Sequence, residues 1–122
     1  MQFNADTGSN YVRVHYVYGD GSGAFAGSGT TNSYISIYRL AANTATSGVF
    51  GTMVLDLLDY QNTNKYKTTR ALAGYDRNGA GEIFFESGLY MSTTAISSVK
   101  LYSESGSNFL QYSQFALYGI KG

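Results

Sequence analysis

Residues 95–122 read AISSVKLYSESGSNFLQYSQFALYGIKG, and this stretch decides the fold class. Val99 and Leu101 alternate with Ser98, Lys100 and Tyr102; a polar Ser-Glu-Ser-Gly-Ser-Asn segment interrupts; then Phe115, Leu117 and Gly119 alternate with Ala116, Tyr118 and Ile120. In extended backbone successive side chains point to opposite faces, so an apolar residue at every second position is the spacing of a half-buried strand. The stretch therefore predicts two strands joined by a Gly-containing loop, the second of them stitched into a sheet at the end of the chain.

Composition extends that reading outward. The chain has 122 residues, with 12 Tyr, 7 Phe, 15 Gly and no Pro. Aromatic residues with abundant Ser, Thr and Gly favour pleated sheets and turns over helices, so the expected class is all-β. A chain of this length is expected to form one domain, residues 1–122, around one core. Eight basic and eight acidic residues cancel. A neutral chain has no overall field to attract phosphate backbones or anionic lipid, so neither nucleic acid nor a membrane is expected as a partner. There is no cysteine for a disulfide or a thiolate metal site. No apolar run approaches the roughly 20 residues of a membrane-spanning helix, and residues 1–4 begin no signal of the basic-then-apolar kind.

Taken in order, residues 1–4 are expected to end a strand, and Asp6-Thr7-Gly8-Ser9-Asn10 to turn the chain. Residues 11–18 alternate Val12, Val14 and Tyr16 with Tyr11, Arg13, His15 and Val17. A Gly/Ser/Thr loop carrying Phe25 fills residues 19–32, a strand follows over 33–40, and a small-residue linker covers 41–47. Residues 49–60, VFGTMVLDLLDY, are apolar on both faces, which predicts a central strand covered on both sides, with a short helix over 55–60 as the rival reading. Residues 66–75 set Lys67, Thr69, Ala71 and Ala73 against Tyr66, Thr68, Arg70 and Leu72. Asn78-Gly79 then supplies the strongest hairpin signal in the chain, because both residues accept the positive φ of a primed turn. Residues 82–90 are expected to bury Ile83, Phe85 and Leu89 and to show Glu82, Phe84 and Glu86. About eight strands result, spaced as in an antiparallel β-sandwich of jelly-roll-like form.

Chemistry is thin along the chain. Asp6-Thr7-Gly8 matches the triplet of aspartic proteases, but that chemistry needs two such aspartates sharing a proton, and only one triplet is present, after too short an upstream strand. An Asx turn is the simpler reading. Residues 6–10, 19–23 and 76–82 have some flavour of calcium loops, yet each offers one or two carboxylates where calcium takes six to eight oxygens. His15 is the single histidine and has no nucleophile elbow to serve. Asp56 and Asp59, three apart, would form an acid/base pair on a helix; on a strand they fall on opposite faces, with Arg70 or Lys67 as an ion-pair partner for Asp56 and a turn cap as the role of Asp59. The Gly-rich residues 19–29 lack the Lys-Ser/Thr ending of a phosphate cradle. No residue set calls for a cofactor or a metal, and the chain is expected not to be an enzyme.

The tyrosines are the more informative population. Tyr16 and Tyr118 are expected at the core, and Tyr34, Tyr38, Tyr90 and Tyr102 on faces opposite the apolar set. Exposed Tyr beside Ser, Asn and Gly is the composition of recognition surfaces and subunit interfaces.

Four phrases carry a resemblance: FNADTGSNY (residues 3–11), LDLLDYQNTNKYKTTRALAGYDRNGAGEI (55–83), SGLYMSTTAISSVKLY (87–102) and GSNFLQYSQFALYGIKG (106–122). Together they resemble a group of small structural proteins of tailed bacteriophages. The resemblance implies a β-sandwich module exposed on the phage particle, as a capsid decoration protein or part of a head or tail fibre, made in the host cytoplasm. It implies no catalytic residue. Related proteins carry further strand-forming sequence ahead of the first phrase, so this chain is either a shortened version or lacks the first strands; in the second case an open sheet edge, beside residues 1–4 or on its partner strand, completed by another subunit, is expected. The leading functional expectation is a virion component that binds capsid or tail proteins and copies of itself, with a trimer favoured and Phe25, Tyr34, Tyr38 and Tyr112 as contact residues. The alternative is a carbohydrate-binding module in which aromatics stack on sugars and Arg77 and Asn78 bond hydroxyls. A hydrolase stands third.

Overall fold

Asn78 and Gly79 adopt φ of 59° and 101°. The Arg77 N–H donates to Ala80 O at 2.7 Å across them. This is the primed two-residue turn that Asn-Gly encodes, and its twist matches that of the flanking strands. The hairpin it closes is the centre of the computed structural model, which describes every residue except 39, 42–44, 105 and 121–122, and gives residues 13 and 14 by backbone alone. The face assignments of Arg13 and Val14, and parts of the expected strand over 33–40, of the linker over 41–47 and of the loop within 95–122, lie outside the described residues.

The fold is all-β and antiparallel. Its strands are β1 (Gln2–Phe3), β2 (Tyr11–Gly19), β3 (Ala24–Gly27), β4 (Thr31–Asn32), β5 (Gly51–Leu57), β6 (Lys67–Asp76), β7 (Gly81–Tyr90) and β8 (Val99–Lys100). One sheet runs β3-β2-β7-β6-β5, with β4 also paired to β2; β1 and β8 form a second, two-stranded sheet. The β1–β8 ribbon, with the chain around Ile35 and Ile96, lies on one face of the large sheet. There Met1, Phe3, Tyr11, Ile35, Tyr90 and Ile96 make the buried core, with Ile37, Leu55, Leu57 and Leu101 against it. Tyr11 and Tyr90 stack at 4.7 Å, and Phe3 lies 5.4 Å from Tyr90. The Tyr11 hydroxyl accepts the Phe3 N–H at 2.9 Å and reaches the Phe3 and Asp6 carbonyls, both at 3.1 Å. Burial raises its pKa to about 12. A tyrosine is tolerated at the centre of the core because its one polar atom is fully engaged.

The expected alternation of residues 67–73 is found: Lys67, Thr69, Ala71 and Ala73 face inward and are buried. Small side chains suit this face because their cross-strand neighbours are large. Ala73 stands opposite Phe84, which stands opposite Tyr18. A Cβ on Gly88 would come within 2.6 Å of Thr69 Oγ1 and 2.9 Å of Ile35 Cγ2, so the absence of a side chain lets Ile35 seat. Lys67 is fully buried, and the three N–H groups of its ammonium are shared among four backbone carbonyls, those of Asn62 (2.5 Å), Lys65 (3.0 Å), Thr93 (2.9 Å) and Ser92 (3.3 Å). Charge-assisted bonds to a ring of carbonyls make burial of a lysine tolerable.

Several expectations are corrected. Residues 82–90 bury Phe84, Glu86 and Tyr90 and expose Ile83 and Phe85, the reverse of the hydropathy reading. The turn and the pairing with β6 set the register, and a slip of one residue exchanges the faces. In β2 a bulge between Arg13 and His15 breaks strict alternation, so buried Tyr11 and the inward Tyr16 and Tyr18 lie on one side and Val17 on the other. Strand β5 is not central but lies at the sheet's edge, and residues 55–60 form no helix. The described residues of 33–40 are not strand, although Ile35 exchanges backbone bonds with Met1; two short strands instead occupy the expected loop over 19–32. The edge beside β1 is closed within the chain, by β8 on one side and by Ile35 on the other, while the outer edge of its partner strand β8 pairs with no strand among the described residues. Residues 115–120, expected as the closing strand, pair with nothing among the described residues.

Candidate functional site

The outer face of the large sheet carries the surface that most needs explanation. Cross-strand register aligns Val54, Leu72, Phe85 and Val17 in a single row across β5, β6, β7 and β2. All four are exposed, at 65%, 48%, 52% and 51%. Ile83 extends the row on the same face and is exposed as well. Side chains directly opposite one another in a sheet are in contact, so these residues form one apolar stripe and not scattered points. One margin carries the next cross-strand pair, Asp56 with Arg70, whose Nε and Nη2 bond a single carboxylate oxygen at 3.0 and 2.5 Å. Ser87 and His15 continue that margin across β7 and β2. An apolar centre with a polar margin is the arrangement of a protein interface.

A second apolar surface lies in residues 115–120. Phe115 is 54% exposed, Leu117 92%, Tyr118 83% and Ile120 91%. Phe115 packs edge-on to Phe109 at 5.1 Å. Tyr118, expected at the core, is therefore at the surface, whereas Tyr90, expected outside, is in the core.

The four expected contact residues fall in three places. Tyr34 and Tyr38 line one groove of about 370 Å³ together with Leu40, Tyr102, Glu104 and Phe109. The Tyr34 hydroxyl bonds Glu104, which raises the pKa of the phenol, and the Tyr34 ring meets Tyr102 edge-on at 6.3 Å. Tyr38 spends its ring on Phe84, at 5.5 Å, in a stack that continues through Tyr18 to Phe25 at 4.8 and 4.9 Å. Phe25 thus sits at the end of an inner-face stack on β3 and remains 44% exposed. Tyr112 is exposed and separate, with a positive φ of 73°. Sequence reasoning missed the outer stripe because it assigned Phe85 and Ile83 to the core; the paired alternation of Val54, Leu72 and Phe85 was the available signal.

The expected glycan contacts, Arg77 and Asn78, are exposed at the hairpin tip, where the Arg77 guanidinium lies 5.1 Å over the Tyr75 ring. Beside them a shallow groove of about 420 Å³ runs between the turn at Gly19, Asp20 and Gly21 and the hairpin residues Tyr75, Asp76 and Glu82. Two of the calcium-like loops thus meet, but among the described residues no three His, Cys, Asp or Glu side chains gather in metal-binding geometry.

The Asp-Thr-Gly triplet is a turn. Asp6 accepts from Gly8 N (2.8 Å), Asn10 Nδ2 (2.9 Å) and the Tyr90 hydroxyl (3.0 Å), and these bonds, those of Asn10 first, lower its pKa. Asp20 makes the same kind of turn with Ser22 and Gly23. A carboxylate held ionised by three donors is an anchor for the loop. His15 is exposed on β2. Asp59 pairs with Lys65 at 3.5 Å, and its carbonyl accepts the Asn62 N–H at 2.9 Å in the following turn. Compared with protein-family models, with curated proteins and with solved structures, the chain matches none.

Proposed function

We propose that the chain is a non-enzymatic structural protein of a tailed-bacteriophage particle, a capsid decoration or fibre component that acts by joining copies of itself and neighbouring capsid or tail subunits. One observation carries this reading: the continuous apolar row of Val54, Leu72, Phe85 and Val17 on the open face of the large sheet. A face of this kind is stable in water only at a cost of about 25 cal/mol for each Å² of apolar surface left wet. Symmetric copies remove that cost reciprocally, and a trimer is the favoured stoichiometry. The virion setting rests on the resemblance of the four sequence phrases. Sedimentation of the intact chain and of Phe85→Ser tests the reading: a concentration-dependent oligomer that Phe85→Ser dissociates, and that binds capsids lacking the protein, supports it. A chain that stays monomeric and leaves such capsids bare overturns it.

A second reading has its own observation. The groove beside Arg77, with Asp20, Asp76, Glu82 and Tyr75 along it, offers the mix of acidic and aromatic groups that bond and stack on sugars. Binding to a glycan array, abolished by Arg77→Ala with assembly intact, is the result that would favour it.

A further inference from the structure

Two unsatisfied features of this chain fit each other. The first is the outer edge of β5. No strand pairs with it among the described residues, so a seven-residue row of backbone N–H and C=O groups is open. Its inward side chains Met53, Leu55 and Leu57 are only half-buried, and Val54 on the other face is 65% exposed. Its one charged residue, Asp56, is already bonded to Arg70. Natural sheets protect long, flat, apolar edges with Lys, Pro or a covering segment, and among the described residues β5 has none of these.

The second feature is residues 115–120. They alternate with period two, contain no charge, and expose large apolar side chains on both faces: Phe115 and Leu117 on one, Tyr118 and Ile120 on the other. Among the described residues, no hydrogen bond from residues 114–120 to the rest of the chain is made. Six extended residues span about 20 Å, close to the length of β5. A strand apolar on one side alone would suit an ordinary edge, but beyond β5 one face adjoins half-covered Met53, Leu55 and Leu57 and the other adjoins the open stripe. Apolar side chains on both faces are what that position takes.

We infer that residues 115–120 of one copy add as a strand to the free edge of β5 in a second copy. Each copy carries one donor segment and one acceptor edge, so exchange between identical chains satisfies both in every member and closes into a ring. The added strand also brings Tyr118 and Ile120, or Phe115 and Leu117, beside Val54, extending the stripe from which the assembly reading begins. The inference rests on that reading and supplies its connection.

The test uses the intact chain and Leu117→Pro, a substitution in a side chain that is 92% exposed, with backbone hydrogen exchange read beside sedimentation. Proline removes an N–H and cannot lie in a paired strand interior. The intact oligomer is expected to protect amides of β5 and of residues 115–120 together. Leu117→Pro is expected to weaken association at least tenfold and to release both sets. If Leu117→Pro assembles as tightly as the intact chain and β5 exchanges unchanged, strand addition is overturned while the assembly reading stands. Protection of residues 115–120 in a monomer overturns it too, by showing the segment on its own β5. An intact chain that neither associates nor binds capsids overturns both.

Discussion

Along β6 the two faces of the large sheet invert the usual relation between composition and burial. The inner face of β6 presents Lys67, Thr69, Ala71 and Ala73 and is buried; the outer face of the same strand presents Leu72, whose row continues into Val54, Phe85 and Val17, and is open. The inner face is covered because the β1–β8 ribbon and Ile35 bring their own apolar groups to it, and small or fully bonded residues make room. Among the described residues the outer face has no such ribbon. Apolar content therefore marks a face to be covered by something, without saying whether the cover comes from the same chain.

The largest effect that would break the contrast is at Lys67. Lys67→Met keeps the length but leaves four carbonyls turned toward a thioether, and urea denaturation should show a loss of about 3 kcal/mol or more. Gly88→Ala forces a methyl against Thr69 and Ile35; a loss of about 1–3 kcal/mol is expected in the same measurement. Tyr11→Phe strips the hydroxyl from the Phe3 and Asp6 backbone groups and should cost about 1–2 kcal/mol.

The fourth effect is pH-dependent. The Met1 ammonium donates to Ile35 O at 2.8 Å, and burial lowers its pKa from 8.0 to about 6. The folded state therefore releases this proton before the unfolded state does, and stability rises as pH goes from about 6 to 8. The gain, reduced by partial solvent screening, is on the order of 1 kcal/mol. Thermal melts of the chain beginning at Met1 and of its N-acetylated form should differ in slope across this window. The smallest effect on the fold is the most informative for the comparison. Leu72→Ser on the outer face should change monomer stability by no more than about 0.5 kcal/mol, yet weaken association measured by sedimentation.

Much of the fold was legible. The Asn78-Gly79 turn, the alternation of residues 67–73 and the Asx turn at Asp6 all depend on local chemistry, which a sequence states directly; of the two partners open to Asp56, Arg70 and Lys67, the β5–β6 register selects Arg70. The misplaced features depend on what lies beside or above a strand. Apolar residues on both faces of β5 were read as a central strand, but periodicity reports faces and is silent about edges. Phe84 and Phe85 are equally apolar, so only the turn register decides which points inward. The β2 bulge moved a frame that strict alternation had set. Of the candidate site, the outer stripe was hidden by its own hydrophobicity: it reads as core.

The Lys67 ring has a consequence for how the molecule is put together. Carbonyls converging from residues 62, 65, 92 and 93 form the kind of oxygen cage that elsewhere is filled by a dissolved ion. Here the cation is covalently part of β6. It arrives with the chain at a one-to-one ratio, cannot be stripped by a chelator, and holds the loop before β6 to the segment after β7 without reference to the ionic makeup of the surroundings. Unlike a metal-clasped loop, this junction has its clasp written into the polypeptide and closes when the strands do.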